Sequence, residues 1–123
     1  MFSQSNDLKI KELIRILTPA IINKYLVSFY YEDETDHNKH GFRLVEPHLI
    51  GIHKDSKEYH LSAYFLPTSA QIVQGFKMDW GSYLLSRMYL DKITVLEKGY
   101  TNTRRFYNPK DKRMSQIICA TSK

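Results

Sequence analysis

GFRLVEPHLIGIHKDSKEYHLSAYF, residues 41–65, is the stretch on which the fold turns. FRLVEP and HLIGIH read as two short extended segments around Pro47, KDSK at 54–57 is a polar turn, and YHLSAYF is a further strand. Just upstream, LVSFYYE at 26–32 alternates Val27, Phe29 and Tyr31 with Ser28 and Tyr30, as one face of a strand does. The polar run DETDHNKHG, 33–41, is then a loop or hairpin tip.

Further out the pattern changes. Leu8, Ile10, Leu13, Ile14 and Leu17 recur at helical spacing with Lys9, Lys11, Glu12 and Arg15 between them, which predicts an amphipathic helix over residues 7–17 capped by Asn6 or Asp7. Thr18-Pro19 reads as a fresh start, with a second short helix from Ala20 to about Lys24 or a kinked continuation. Beyond Pro67, QIVQGFKMDW, SYLLSRM, KITVLEKGY and SQIICA are short extended candidates, separated by Gly75, Gly81, Gly99 and the polar segment TNTRRFYNPKDKR, 101–113. A helix or two followed by closely spaced strands implies a mostly β (α+β) chain: a helix over residues 1–17, then a small barrel or rolled sheet over 18–123 with a basic C-terminal segment.

At 123 residues this is one domain, long enough to bury a core without staples. Cys119 is the single cysteine, so a disulfide scaffold is excluded and a reducing compartment is expected. The apolar runs are far shorter than the ~20 residues of a membrane-spanning helix, and MFSQSNDLKIKEL lacks the order of a signal peptide. A soluble, cytoplasmic protein with no membrane partner is the expectation. Charge is uneven: residues 1–60 carry 8 basic and 9 acidic side chains, whereas 61–123 carry 10 and 4. Arg104, Arg105, Lys110, Lys112 and Arg113 form a basic patch suited to phosphates or acidic surfaces, unless they only solvate the tail.

No enzyme is indicated. There is no G-x-S-x-G turn and no glycine-rich nucleotide loop, and Asp79, Asp91, Glu97 and Asp111 form no obvious acid and nucleophile pair. Cys119 lies among apolar residues, where burial suppresses thiolate chemistry. His37 and His40 beside Asp33 and Asp36 read as a solvated turn rather than a metal site, and packing is expected for His48 and His53. No cofactor is called for. What stands out is 9 Tyr, 6 Phe and 1 Trp beside 18 Lys and Arg, a combination that can stack bases and hold phosphates, although any single strand Tyr more often fills a core.

The order of these segments resembles the WYL domain. AIINKYLVSFYYE, a polar loop and FRLVEPHLIGIHKDSKEYHLSAY follow its pattern, with Arg43, Val45 and Pro47 on its R-x-V-x-P step. In Tyr59-His60-Leu61 only Leu61 keeps the signature letter; Tyr59 stands for its Trp and His60 for its Tyr, while Ala63 and Tyr64 fit the positions that follow. The last signature strand fits residues 83–88, preceded by Trp80, or alternatively 88–93; the first is preferred. Small stand-alone relatives also end in a segment like residues 107–114 before a Cys-bearing strand. The likeness spans residues 18–120. It implies an Sm-like, SH3-type β-barrel acting as a ligand-sensing module in transcription regulation or phage defence, binding single-stranded nucleic acid or a nucleotide-type anion. The implied ligand-binding residues are Arg43, His60 and Arg87, these three expected in one positively charged cleft, with Lys92 as the substitute under the second placement and Tyr59 and Tyr64 also implied. The few residues before residue 25 leave no room for a helix-turn-helix of normal size. The alternative is an assembly module without a ligand, whose helix docks on a protein partner or pairs two copies into a homodimer.

Overall fold

The computed structural model describes residues 2–33 and 39–123. A single helix α1 (Phe2–Asn23) leads into six strands: β1 (Tyr25–Tyr31), β2 (Gly41–His53), β3 (Tyr59–Phe65), β4 (Trp80–Leu84), β5 (Met88–Gly99) and β6 (Met114–Ala120). Ile10, Leu13, Leu17, Ala20 and Ile21 form the buried stripe of α1. The break expected at Thr18-Pro19 does not occur. Pro19 and Arg15 both lie on the exposed side, so the Arg15 carbonyl that loses its helical donor faces water, and the Thr18 hydroxyl donates to the Ile14 carbonyl at 2.7 Å. The helix stops at Lys24, whose φ of 58° is left-handed. Gly99 approaches that turn so closely that a Cβ would lie 2.8 Å from the Lys24 carbonyl oxygen, and the Tyr100 N–H donates to the same oxygen at 2.9 Å.

The strands are antiparallel in the order β4-β3-β2-β1-β5, with β6 also on β2. The two segments expected around Pro47 are one 13-residue strand. Its register slips between Pro47 and Leu49, a bulge that accommodates the proline's missing N–H. The bulge also divides the strand's pairing: residues before it pair β1 and residues after it pair β6. One sheet face packs on α1 through Val27, Phe29, Val45, Ile50, Leu61, Ala63, Leu85 and Met88. The chain between β5 and β6, residues 100–113, lies across part of the other face and builds a second small core from Leu49, Tyr107 and Met114.

Two expectations need correction. Among the described residues no ladder joins β4 to β5 or β6, so the sheet is open rather than a closed barrel. QIVQGFKMDW is not a strand: Ser69–Val73 is a short helix, α2, started by a capping box in which the Thr68 hydroxyl takes the Gln71 N–H and the Gln71 side chain takes the Thr68 N–H. The remaining extended candidates, KITVLEKGY and SQIICA, fall on β5 and β6, and SYLLSRM divides between β4 and a 3-10 turn at Leu85–Arg87.

Candidate functional site

The β2 bulge buries His48 completely. Its Nδ1 lies 2.8 Å from the Glu46 carbonyl, to which it donates, so Nε2 is left as an acceptor for the Arg104 N–H at 3.2 Å. Both bonds require a neutral ring, and burial holds its pKa below the ordinary imidazole value. Around it stand Tyr100, Trp80 and Tyr107, with ring centroids within 5.0 Å of the imidazole. These rings fasten the 100–113 segment, here called the strap. Tyr100 bonds the Pro47 carbonyl, the Tyr107 hydroxyl reaches the Thr121 carbonyl at 2.7 Å, and the Trp80 indole N–H donates to the Arg105 carbonyl at 2.9 Å. Arg104 grips the buried Glu46 carboxylate through two bonds of 2.6 and 2.8 Å and lies 4.4 Å over the Tyr64 ring.

Beyond this clamp the strap stands off the sheet. A cleft of about 470 Å³ opens between Ser62, Trp80, Gly81 and Ser82 on β3 and β4 and Phe106, Asn108, Asp111 and Arg113 on the strap. Phe106 is its most unusual residue. The Arg105 carbonyl is tied to Trp80 and the Tyr107 hydroxyl is tied into the sheet, so the residue between them is turned outward: Phe106 is 84% exposed with φ 71°, the left-handed region that costs a side-chain-bearing residue energy. The Arg105 guanidinium lies 5.1 Å from its ring. Arg105, Lys110 and Lys112 are exposed and have no carboxylate partner among the described residues, whereas Arg113 is paired with Asp111 at 2.7 Å. The cleft thus has an aromatic surface at its mouth and uncompensated positive charge beside it.

The fold has a solved counterpart. A chain of proteasome accessory factor B/C (PafBC) of Arthrobacter aurescens matches with a TM-score of 0.60 at 20% identity, over 79% of this chain and 13% of that one. At that identity the likeness to PafBC shows the fold alone. No protein-family model and no curated protein matches the sequence. No helix of the described residues is long and apolar enough to cross a membrane.

The residues expected in one cleft are distributed over different surfaces. Arg43 points to the core side of β2 and is buried, its guanidinium 4.8 Å from the Phe76 ring and 5.6 Å from that of Phe65, bonded to the Lys39 carbonyl and 3.9 Å from Asp33. Burial, partly offset by Tyr83 and Asp33, lowers its pKa. Arg87 sits near the same end of β1, where its carbonyl takes the Glu32 N–H at 3.1 Å. His60 is on the opposite sheet face: alternation along β3 turns Leu61 and Ala63 into the core and His60 and Tyr64 away from it. The geometry therefore corrects the expected grouping of Arg43 with His60. His60 belongs to the strap side, where its Nδ1 meets the Ser82 hydroxyl at 2.8 Å and its Nε2 the Ser56 hydroxyl at 3.2 Å; burial, then the neighbouring His53, lowers its pKa. Tyr59 packs against the α1 side, Tyr64 lies under Arg104, and Lys92 stands 5.0 Å over the Tyr30 ring.

The expected basic patch divides. Arg104 ties the strap to the sheet through Glu46 and Arg113 is neutralised by Asp111 within the strap, while Arg105, Lys110 and Lys112 have no carboxylate partner among the described residues. Of the other histidines, His40 bonds the Asp33 carbonyl at 2.9 Å and His53 takes the Asp55 N–H, while His37, with Asp36, lies outside the described residues. Cys119 is a half-buried β6 residue beside Thr18, and burial pushes its thiol pKa up. The residue that sequence reading missed is Phe106; the only signal was its place between Arg105 and Tyr107 in a polar segment, and its exposure follows from bonds to residues far away in the chain.

Proposed function

We propose that the chain is a WYL-like binding module that takes an anionic, base-bearing ligand, a single strand of nucleic acid or a nucleotide, under the strap, and performs no reaction on it. The setting is cytoplasmic regulation or phage defence. The observation that carries this reading is the outward Phe106, with the Arg105 guanidinium 5.1 Å from its ring, on an open cleft whose strap also bears the exposed Lys110 and Lys112. A flat ring offers a base a stacking surface, and three uncompensated cations attract phosphate. Two further points support it: the sequence resemblance described above, and a shared fold with PafBC, which contains a WYL domain.

Fluorescence anisotropy with a labelled single-stranded oligonucleotide at two salt concentrations tests the proposal. Binding is expected to weaken steeply as salt rises, Phe106→Ala to lower affinity about tenfold, and Phe106→Tyr to retain it. A wild-type protein that gives no signal, or a signal indifferent to salt, overturns it.

A further inference from the structure

Two histidines on the strap side of the sheet differ in what their partners allow. His48 has a carbonyl at Nδ1 and an amide N–H at Nε2, a pair that fits one neutral form of the ring only. His60 has a hydroxyl at each nitrogen, Ser82 Oγ 2.8 Å from Nδ1 and Ser56 Oγ 3.2 Å from Nε2. A hydroxyl either donates or accepts, so the His60 ring can gain or lose a proton without breaking either bond. The two states differ for Ser82, which lines the cleft. Against the protonated ring Ser82 has to accept, and its own hydrogen is free to turn into the cleft; against a neutral ring that hydrogen can be held by Nδ1.

The sheet wall of that cleft, Ser62, Trp80, Gly81 and Ser82, carries no charged side chain, and on the strap wall Arg113 is paired with Asp111. A proton on His60 sets a positive charge directly behind Ser82. The charged and titratable groups that face His60 are His53 on β2, its ring 5.2 Å away, Glu58 in the turn before β3, and Arg113 on the strap; its β4 neighbour, Ser82, is uncharged, and Asp111 faces His53 in turn. Burial, then His53, oppose the proton, and Arg113 adds to them against Glu58, so the ring of the unliganded protein is neutral at pH 7. From this arrangement we infer that His60 is a positioning residue of the cleft that takes up a proton as an anion binds against Ser82, so that affinity for anions rises as pH falls. This rests on the binding reading given above and adds the regulation of that site. Because the liganded state holds the proton more tightly, affinity climbs by up to about tenfold per pH unit below the liganded pKa and levels off at the unliganded one.

The test measures binding of a labelled oligothymidylate by anisotropy at about pH 5.5 and about pH 7.5 and one ionic strength, because neither thymine nor a phosphodiester titrates in that range. Wild type is expected to bind at least about fivefold more tightly at the lower pH. His60→Gln keeps a donor and an acceptor for the two hydroxyls and takes up no proton. It is expected to bind like wild type at the higher pH and to lose most of the gain at the lower one, with circular dichroism at both pH values to check its fold. Proton NMR of the wild-type His60 ring gives a second reading that needs no variant: its titration midpoint is expected to rise when the protein is saturated with the oligonucleotide. A wild-type affinity indifferent to pH, a variant that keeps the full gain, or an unmoved midpoint overturns the proton link and leaves the cleft reading standing. If wild type binds at neither pH, both fall.

Discussion

His48 and Phe106 show how single residues take their roles from bonds made far away in the chain. His48 is an acceptor for the strap only while neutral, and its folded-state pKa is lowered by burial. The unfolded chain therefore takes up a proton first as pH falls. Stability is expected to be flat above neutrality and to fall below the ordinary imidazole value of about 6.5, by up to about 1.4 kcal/mol per pH unit from this residue, until the folded-state pKa is reached. Urea unfolding across pH checks this; His48→Gln, which keeps one donor and one acceptor, is expected to flatten that limb, and an unchanged limb would assign it elsewhere. Phe106 gives the converse case, a residue whose conformation costs the fold. Phe106→Gly is expected to raise stability by up to about 1 kcal/mol while weakening strand binding. A stability loss in that variant would show that the ring packs rather than binds.

At the level of elements, α1 and β2 both run through a proline that local rules would use as a stop. Each is carried past it by tertiary packing: α1 keeps Leu13, Leu17, Ala20 and Ile21 in one core, and β2 absorbs Pro47 in a bulge held by β3. Leu17→Ala is expected to cost about 3 kcal/mol, because Leu17 is fully buried in the core between the helix and the sheet and its neighbours cannot all close on the cavity. Thermal or urea denaturation measures this, and a loss under about 1 kcal/mol would mean that α1 is only loosely docked. The apolar stripe of α1 and the alternation of β1 and β3 were both readable from residue order, since each depends on periods of a few residues. The helical turn at Ser69–Val73 was readable too, in its Thr68 and Gln71 pair, but the apolar Ile72 and Val73 beside it suggested a strand.

Across the whole molecule, the excess positive charge of the C-terminal half is sorted by the fold into fastening and free cations. Lys110→Ala and Lys112→Ala are each expected to leave stability unchanged and to reduce the slope of log affinity against log salt by about 0.7, the value for one phosphate of a single strand. Titrations at several salt concentrations measure that slope, and a slope indifferent to both changes would place the phosphates elsewhere. Such sorting was hidden in the sequence. Lys98 to Lys123 contains only Asp111 as an acid, yet Arg104 finds Glu46, 58 positions earlier. Periodicity, capping and charge are properties of neighbouring residues, so residue order alone determined the helix, the β-rich remainder and the basic C-terminal segment. Which sheet face a residue occupies depends on strand register, and which cation is neutralised depends on chain crossings. For that reason only the tertiary structure separated Arg43 from His60, left the sheet open, and turned Phe106 out of the strap.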